Sequence, residues 1–470
     1  MNKRAFLKRS LALVTSNFVT SNFFPRYFFA PLIEGFARPR LMAEQSMAES
    51  EPRTNWAGNF QYSTDKLYEA KSVEEVQEIV RQCKKLRALG TRHCFNRIAD
   101  SAAAQISVRE MNRIVSVDPQ AKAVVIEAGI SYGQLCPALH ERGFALHNLA
   151  SLPHISVAGA CATATHGSGV KNGNLATAVR ALEFVNAQGD LVTLMREKDG
   201  ERFQGAVVNL GALGIITKLT LEVQPTYYMK QVVYRNLPLK QLTENFRAIE
   251  NSGYSVSLFT DWTNRNINQV WIKSRVDAGH GSPSEPEFYG AKAATRNLHP
   301  LENLSAENCT EQMGVPGPWY ERLPHFRMGF TPSNGDELQS EYFVPADRAV
   351  EAILAIFAIS GAVTPHLFIS EIRTIAADDL WMSPCFGGDC VAIHFTWKPD
   401  WPAVQRALPV IEKALAPFGA RPHWGKLFTM SPEHLQPLIQ KLPQFRELLA
   451  QYDAGGKFRN QFIDANIFSA

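Results

Sequence analysis

The chain has 470 residues, 45% of them hydrophobic and 20% charged, with 48 Lys and Arg against 45 Asp and Glu for a net charge of +3. That apolar content with so little net charge excludes a disordered or low-complexity chain, and the lack of a basic excess argues against a general nucleic-acid binder. No run of 18 apolar residues occurs, so no stable membrane span is expected, and the length suits two domains or three.

Residues 1–50 differ in texture from the rest. Lys3, Arg4, Lys8 and Arg9 precede a weakly apolar stretch, Leu11 to Phe24, interrupted by Thr15, Ser16 and Asn17. This is the layout of an export signal. Lys3-Arg4-Ala5-Phe6-Leu7-Lys8 resembles the twin-arginine type with Lys in place of the first Arg, a route that carries proteins already folded around a cofactor. Small-x-small cleavage patterns occur at Gly35-Phe36-Ala37 and Ser46-Met47-Ala48. A leader over 1–48, export by the twin-arginine machinery and a periplasmic destination are expected; the alternative is an extension on a cytoplasmic enzyme. Residues 1–50 hold seven basic and three acidic side chains, which leaves 41 against 42 for the remainder, so the basic excess belongs to this segment. Seven cysteines (83, 94, 136, 161, 309, 385 and 390) lie scattered, without Cys-x-x-Cys spacing. They predict core thiols and neither a disulfide framework nor a metal site.

From Asn55 the signals are those of an α/β or α+β protein. Ser72 with Glu75 three residues on predicts a capping box, followed by a helix with Val73, Val76, Ile79 and Val80 on one face. Ala121 to Gly129 reads as a strand. Leu182–Val185 and Asp190–Leu194 read as a hairpin across Asn186-Ala187-Gln188-Gly189, and Ile215–Val223 as a further strand. Beyond Pro225, strands are predicted over Tyr254–Phe259, Gln269–Ile272, Leu367–Thr374, Val391–Trp397 and His423–Phe428, and a helix over Arg348–Phe357. The Gly-, Pro-, Ser- and Asn-rich residues 276–318 predict a long ordered loop. The expected division is a first domain over 54–225, a second over 226–425 and a tail, 426–470, that could join either.

Three segments combine glycines, hydroxyls and histidines beyond what packing requires. They are Leu89-Gly90-Thr91-Arg92-His93-Cys94-Phe95-Asn96, the stretch from Asn148 through Ser151, Ser156 and Gly159 to Thr163-Ala164-Thr165-His166-Gly167-Ser168-Gly169, and Leu210-Gly211-Ala212-Leu213-Gly214-Ile215-Ile216. Small residues let backbone N–H groups approach a diphosphate. None has the Gly-x-Gly-x-x-Gly spacing of a Rossmann site, and each alone reads as a tight turn.

Taken together, with ASLPHISVAG, CTEQMGVPGPW, SEIRT, HFTW and RPHWGK, these segments resemble the alditol oxidases (xylitol or sorbitol oxidases) of the vanillyl-alcohol-oxidase-type flavoproteins, from about Asn55 to Asn460. The resemblance implies an α+β fold: an FAD-binding domain of two subdomains, an antiparallel-sheet cap domain over the flavin, and a carboxyl-terminal return to the FAD domain. It implies FAD attached covalently through His93. Noncovalent contacts are implied from Leu89, Gly90, Thr91, Arg92, Cys94 and Phe95, and from Ser151, Ser156, Gly159, Thr163, Ala164, Thr165, His166, Ile215 and His423. Cys94 departs from the Ser common in the family and is a candidate oxidation site.

On the substrate side, period-2 alternation puts His394 and Thr396 on one strand face and Val391, Ile393, Phe395 and Trp397 on the other; Glu371 and Arg373 likewise share a face within an apolar strand. Ionic groups there are paired or working. The resemblance makes Ser151, Glu371, Arg373, Thr396 and Lys426 polyol ligands. It implies oxidation of a terminal primary alcohol with O2 as acceptor, Arg373 and Lys426 stabilising the alkoxide and His394 or His423 open as proton acceptor. A monomer acting on a small polyol is expected. The competing readings are an aldonolactone oxidase or a dehydrogenase on the same scaffold, a non-catalytic binding protein, and a metal hydrolase built on His154, His166, His394 and His423, which no ligand spacing supports.

Overall fold

A computed structural model describes residues 53–276, 285–330 and 337–469. The expected leader and its cleavage sites lie outside the described residues. Helix α1 (Val73–Gln82) begins at Ser72, whose hydroxyl accepts the Glu75 N–H at 3.2 Å. The return bond differs from the expected box: Glu75 accepts the N–H of Lys71, one residue earlier, at 2.8 Å. Val76 and Val80 are buried against Val185, Ile215 and Phe458, so the apolar stripe has the partner its spacing demands.

Besides the short pair Phe144–Ala145 with Gln224–Pro225, the described residues of the amino-terminal half hold two sheets. Leu67–Glu69, Gln105–Ser107 and Arg87–Ala88 form a small parallel sheet with 105–107 in the middle. The second is antiparallel and five-stranded, with β1 (Ala123–Glu127), β2 (Val179–Val185) and β3 (Ile215–Glu222) among its strands. Its hairpin pairs Val185 with Leu191. The turn is possible because Gly189 adopts φ +83° and Asn186 Oδ1 accepts the N–H groups of Gln188 and Asp190.

The carboxyl-terminal half is a ten-stranded sheet, counted among the described residues. Its central run is β4 (Tyr228–Pro238), β6 (Asn266–Arg275), β5 (Ser255–Thr260), β8 (Leu367–Ile375), β9 (Cys390–Trp397) and β7 (Leu338–Pro345), in that spatial order and antiparallel throughout. One face is covered by the helices Leu239–Glu250, Ala349–Ala358 and Trp401–Leu415. Ile353, Ile356, Leu408 and Ile411 pack there with Ile372, Ile393, Phe395 and Trp397. Burying each large aliphatic side chain stabilises the layer by ~1.5–3 kcal/mol. The other face carries the site, beside a smaller apolar cluster that Leu298 and Cys309 form with Phe259 and Trp271.

Two expectations need correction. Residues 276–318, read as loop, carry the short strands Glu287–Phe288, Ala291–Ala293 and Gly317–Pro318, the last two pairing with β4. His423–Phe428, read as a strand, is a turn after the two-residue strand Arg421–Pro422. There the ring nitrogen of His423 accepts the Gly425 N–H at 3.0 Å and its carbonyl accepts the Lys426 N–H at 3.0 Å, so local bonds interrupt the ladder between His423 and Leu427, whose own N–H groups still donate to Glu341 O and Gln339 O at 2.9 Å. Beyond the turn the chain returns to the amino-terminal half. Lys457 O accepts the Leu86 N–H at 3.0 Å, and Asn460 donates to the carbonyls of Arg97, Ile98 and Asp100.

Candidate active site

A cavity of about 930 Å³ opens between the glycine-rich loops of the amino-terminal half and the face of the large sheet opposite its helices. The loop Leu89–Phe95 lines it throughout. This loop is pinned at both ends, by Leu89 N–H to Ile106 O at 2.8 Å and Phe95 N–H to Gly425 O at 2.8 Å. Between those anchors the N–H groups of Gly90, Thr91, Arg92, His93 and Cys94 donate to no acceptor among the described residues. Arg92 has φ +62°, which curls successive N–H groups into a concave nest suited to an anion. Opposite lie Ser156 and Gly159 of one short helical segment, and the approach is close: a Cβ on Gly90 would stand 3.1 Å from Ser156 Oγ. Thr163, Thr165, His166, Ile215 and His423 line the same space. A cradle of unpaired N–H groups between glycine-lined walls fits a dinucleotide's diphosphate. Ala164 departs from expectation: it is 1% exposed in the core, and its φ of +54° turns the chain so that Thr163 and Thr165 both face the cavity.

His93 stands at the inner end of the loop. Its ring centroid is 4.5 Å from that of Trp56, and its Nδ1 is 3.3 Å from Nε2 of His154. Burial, with the fields of His154 and Lys426, holds its pKa down at about 3, so the imidazole is neutral and has a free electron pair. Cys94 beside it is pushed up to about 11 by burial, so it stays a protonated, poorly reactive thiol at neutral pH.

The sheet face supplies the rest. Glu371, His394 and Glu341 are directly paired across β8, β9 and β7, so they form one row; Ile369, Thr396 and Gln339 form the next. Arg373 lies one step along on β8, and the turn after Pro422 brings in Lys426. Ser151, Glu371, Arg373, His394, Thr396 and Lys426 all line the cavity. Glu341, which sequence reasoning missed, ties them together: Arg373 Nη2 donates to it at 2.7 Å, Lys426 Nζ is 2.8 Å away and His166 Nε2 3.3 Å. Burial alone would raise the Glu341 pKa, but Lys426, His166 and Arg373 outweigh it and hold the carboxyl well below its ordinary value. Glu371 is also held low: Arg373 and His325 overcome its burial. Burial lowers Lys426, with Glu341 opposing, while the two carboxylates keep Arg373 above its ordinary value despite burial.

The two candidate bases separate here. His394 Nε2 lies 3.1 Å from Gln339 Oε1, an acceptor, which puts its proton on Nε2 and leaves the Nδ1 electron pair free. In His423 the Nδ1 pair is taken by the Gly425 N–H. The four histidines of the hydrolase reading do not converge as metal ligands: His154 faces His93, and among the described residues no three His, Cys, Asp or Glu side chains could hold an ion. Sequence reasoning also missed Gln339, His325 and Lys273; a charged residue inside the apolar run of β6 was the available signal for the last.

Comparisons with known proteins agree on one direction. The FAD binding domain family matches residues 64–195, and the D-arabinono-1,4-lactone oxidase family matches 334–466. An alditol oxidase of Streptomyces sp. is 45% identical over 414 residues, 87% of this chain and 97% of that protein. The L-gulonolactone oxidase of Mus musculus is 27% identical with the same coverage of both chains. A solvent-stable cholesterol oxidase shares the fold, with a TM-score of 0.71 over 88% of this chain and 96% of that one at 16% identity.

Proposed function

The chain belongs to the alditol oxidase family of FAD-dependent oxidoreductases, and from that premise we propose how its own residues oxidise the terminal primary alcohol of a polyol such as xylitol or sorbitol. The reaction turns RCH2OH and O2 into the aldehyde and hydrogen peroxide. Bound FAD supplies the two-electron acceptor at the alcohol carbon and the route for those electrons to oxygen. It would be held by the 89–95 nest and the Ser156–Gly159 wall, with His93 as the point of covalent attachment.

The protein's part is to orient the alcohol and manage its charge. Arg373 and Lys426, fixed by Glu341, stabilise the oxygen as its O–H bond weakens and negative charge develops. His394 takes the hydroxyl proton on Nδ1, the free electron pair on this face of the cavity that its Gln339 bond leaves exposed. Glu371, Ser151 and Thr396 receive the remaining hydroxyls; a substrate lacking them leaves buried polar groups unpaired and is rejected. The observation that carries this reading is the pair of cations on one buried carboxylate beside a neutral imidazole.

A panel of xylitol, sorbitol and L-gulono-1,4-lactone, followed by oxygen uptake and peroxide formation, tests it. Polyol-dependent peroxide is expected. Turnover of the lactone alone would favour the aldonolactone reading, which the match over 334–466 keeps in view. For the covalent link, acid precipitation should carry the yellow colour down with the wild-type chain, while His93→Ala should leave it in the supernatant. Free flavin from the wild type would refute the attachment. Export to the periplasm rests on the basic leader; the mature protein should start near Arg38 or Glu49, and an intact Met1 would refute it.

A further inference from the structure

Two buried polar side chains have no role in the chemistry above. Lys273, in the middle of β6, is 1% exposed, and His325, on the segment crossing that face of the sheet, is 5% exposed. Their surroundings are apolar: Val233, Phe259, Trp271, Leu298 and Cys309 pack together there. A lysine in such a place must be paired or working, because burying an unpaired charge is strongly unfavourable.

An ammonium group has three donors and no acceptor. Those of Lys273 meet three acceptors: Leu323 O at 2.5 Å, Pro324 O at 3.2 Å and His325 Nδ1 at 3.3 Å. With Nδ1 accepting, the imidazole proton sits on Nε2, and Nε2 lies 2.7 Å from Glu371 Oε1. The rings of Phe259 and Trp271 stand edge-on to His325 at 5.3 and 5.2 Å and confine its plane. Burial lowers His325 to about 4, so the ring is neutral at neutral pH and its single N–H is committed to Glu371; burial also lowers Lys273 to about 7, so the three-donor ammonium that fixes this tautomer is the form present below that pH.

That commitment has a competitor. Arg373 Nε is 3.6 Å from the same Oε1 and is buried without a hydrogen bond. Free of His325, the Glu371 carboxylate would close on Arg373 as a bidentate pair, a strong geometry. It would then be turned away from the cavity and would neutralise the cation that the alcohol oxygen needs.

We propose that Lys273 and His325 are positioning residues for the oxidation: Lys273 fixes the proton of His325 on Nε2, and His325 holds Glu371 off Arg373 in the orientation that receives a polyol's hydroxyls. This rests on the reading of Glu371 as a substrate ligand. The test is steady-state kinetics with xylitol on flavin-loaded His325→Leu, His325→Gln, Glu371→Gln and the double variant Glu371→Gln/His325→Leu, with flavin content and melting temperature recorded for each. A charge-assisted hydrogen bond of this kind predicts a KM raised about tenfold in His325→Leu, with kcat falling less. His325→Gln, which keeps an N–H at similar reach, should recover most of the loss. Adding His325→Leu to Glu371→Gln should change KM less than twofold. An equal rise on both backgrounds, or a Gln variant as impaired as Leu, overturns the relay. An unchanged KM in Glu371→Gln overturns the substrate reading of Glu371 and the relay with it. Should His325→Leu not load flavin, the Gln variant decides: near-normal KM supports the relay, and a tenfold rise overturns it.

Discussion

Arg373→Met is expected to lower kcat/KM for xylitol by about 10²–10³-fold, the effect of removing one preorganised donor from a developing oxyanion. Arg373 has a side chain only 7% exposed, and Glu371 and Glu341 outweigh its burial to keep it charged. In so dry a place its field on the alcohol oxygen is poorly screened. Methionine fills a similar volume, and both carboxylates keep another partner, Glu341 through Lys426 and Glu371 through His325. The loss should therefore be catalytic, with the fold and the flavin retained. Arg373→Lys should recover part of the rate, because it restores the charge without the planar fork. Steady-state kinetics with matched flavin content measures both; a loss under tenfold for Arg373→Met would show that the charge acts elsewhere.

Glu341→Leu is expected to cost about 3–5 kcal/mol of stability, the usual consequence of breaking a buried ion pair from one side. Glu341 is 1% exposed and balances Lys426 at 2.8 Å and Arg373 at 2.7 Å, with His166 at 3.3 Å. Its removal leaves two cations facing each other across a low-dielectric space. Burial already depresses Lys426, and without its carboxylate the lysine would give up its proton, removing one of the two charges proposed to act on substrate. Urea unfolding measures the loss. Adding Lys426→Met to Glu341→Leu should restore part of the stability, because an apolar pair is tolerated where a lone charge is not. A second loss on top of the first would contradict this account of the cluster.

Local periodicity made the scaffold of the site legible in the sequence. The stripe of α1, the hairpin turn at Asn186–Gly189 and the alternation of Val391 to Trp397 are rules of nearest neighbours, and the described elements follow them. Period 2 also puts Glu371 and Arg373 on one face before any partner is known. What stayed hidden is what distance in the chain conceals. Glu341 meets Arg373 across 32 residues, and Lys273 meets His325 across 52, so neither pairing leaves a local pattern. The segment 423–428 misled because its aromatic residues have strand propensity, while the side chain of His423 captures the backbone N–H that a ladder would need. Ala164 misled in the other direction: it sits inside a segment that lines the cavity, yet its own Cβ faces the core, since a positive φ reverses the chain's direction there.

The most direct test of FAD-dependent alditol oxidation is to follow the yellow absorption of the purified, flavin-loaded enzyme. Xylitol is added without oxygen, and oxygen is then admitted. The account predicts that the colour bleaches on adding xylitol and returns with oxygen, with one hydrogen peroxide formed for each xylitol converted to aldehyde. Colour unchanged by xylitol, or bleached colour that oxygen fails to restore while an electron-accepting dye does, would contradict it.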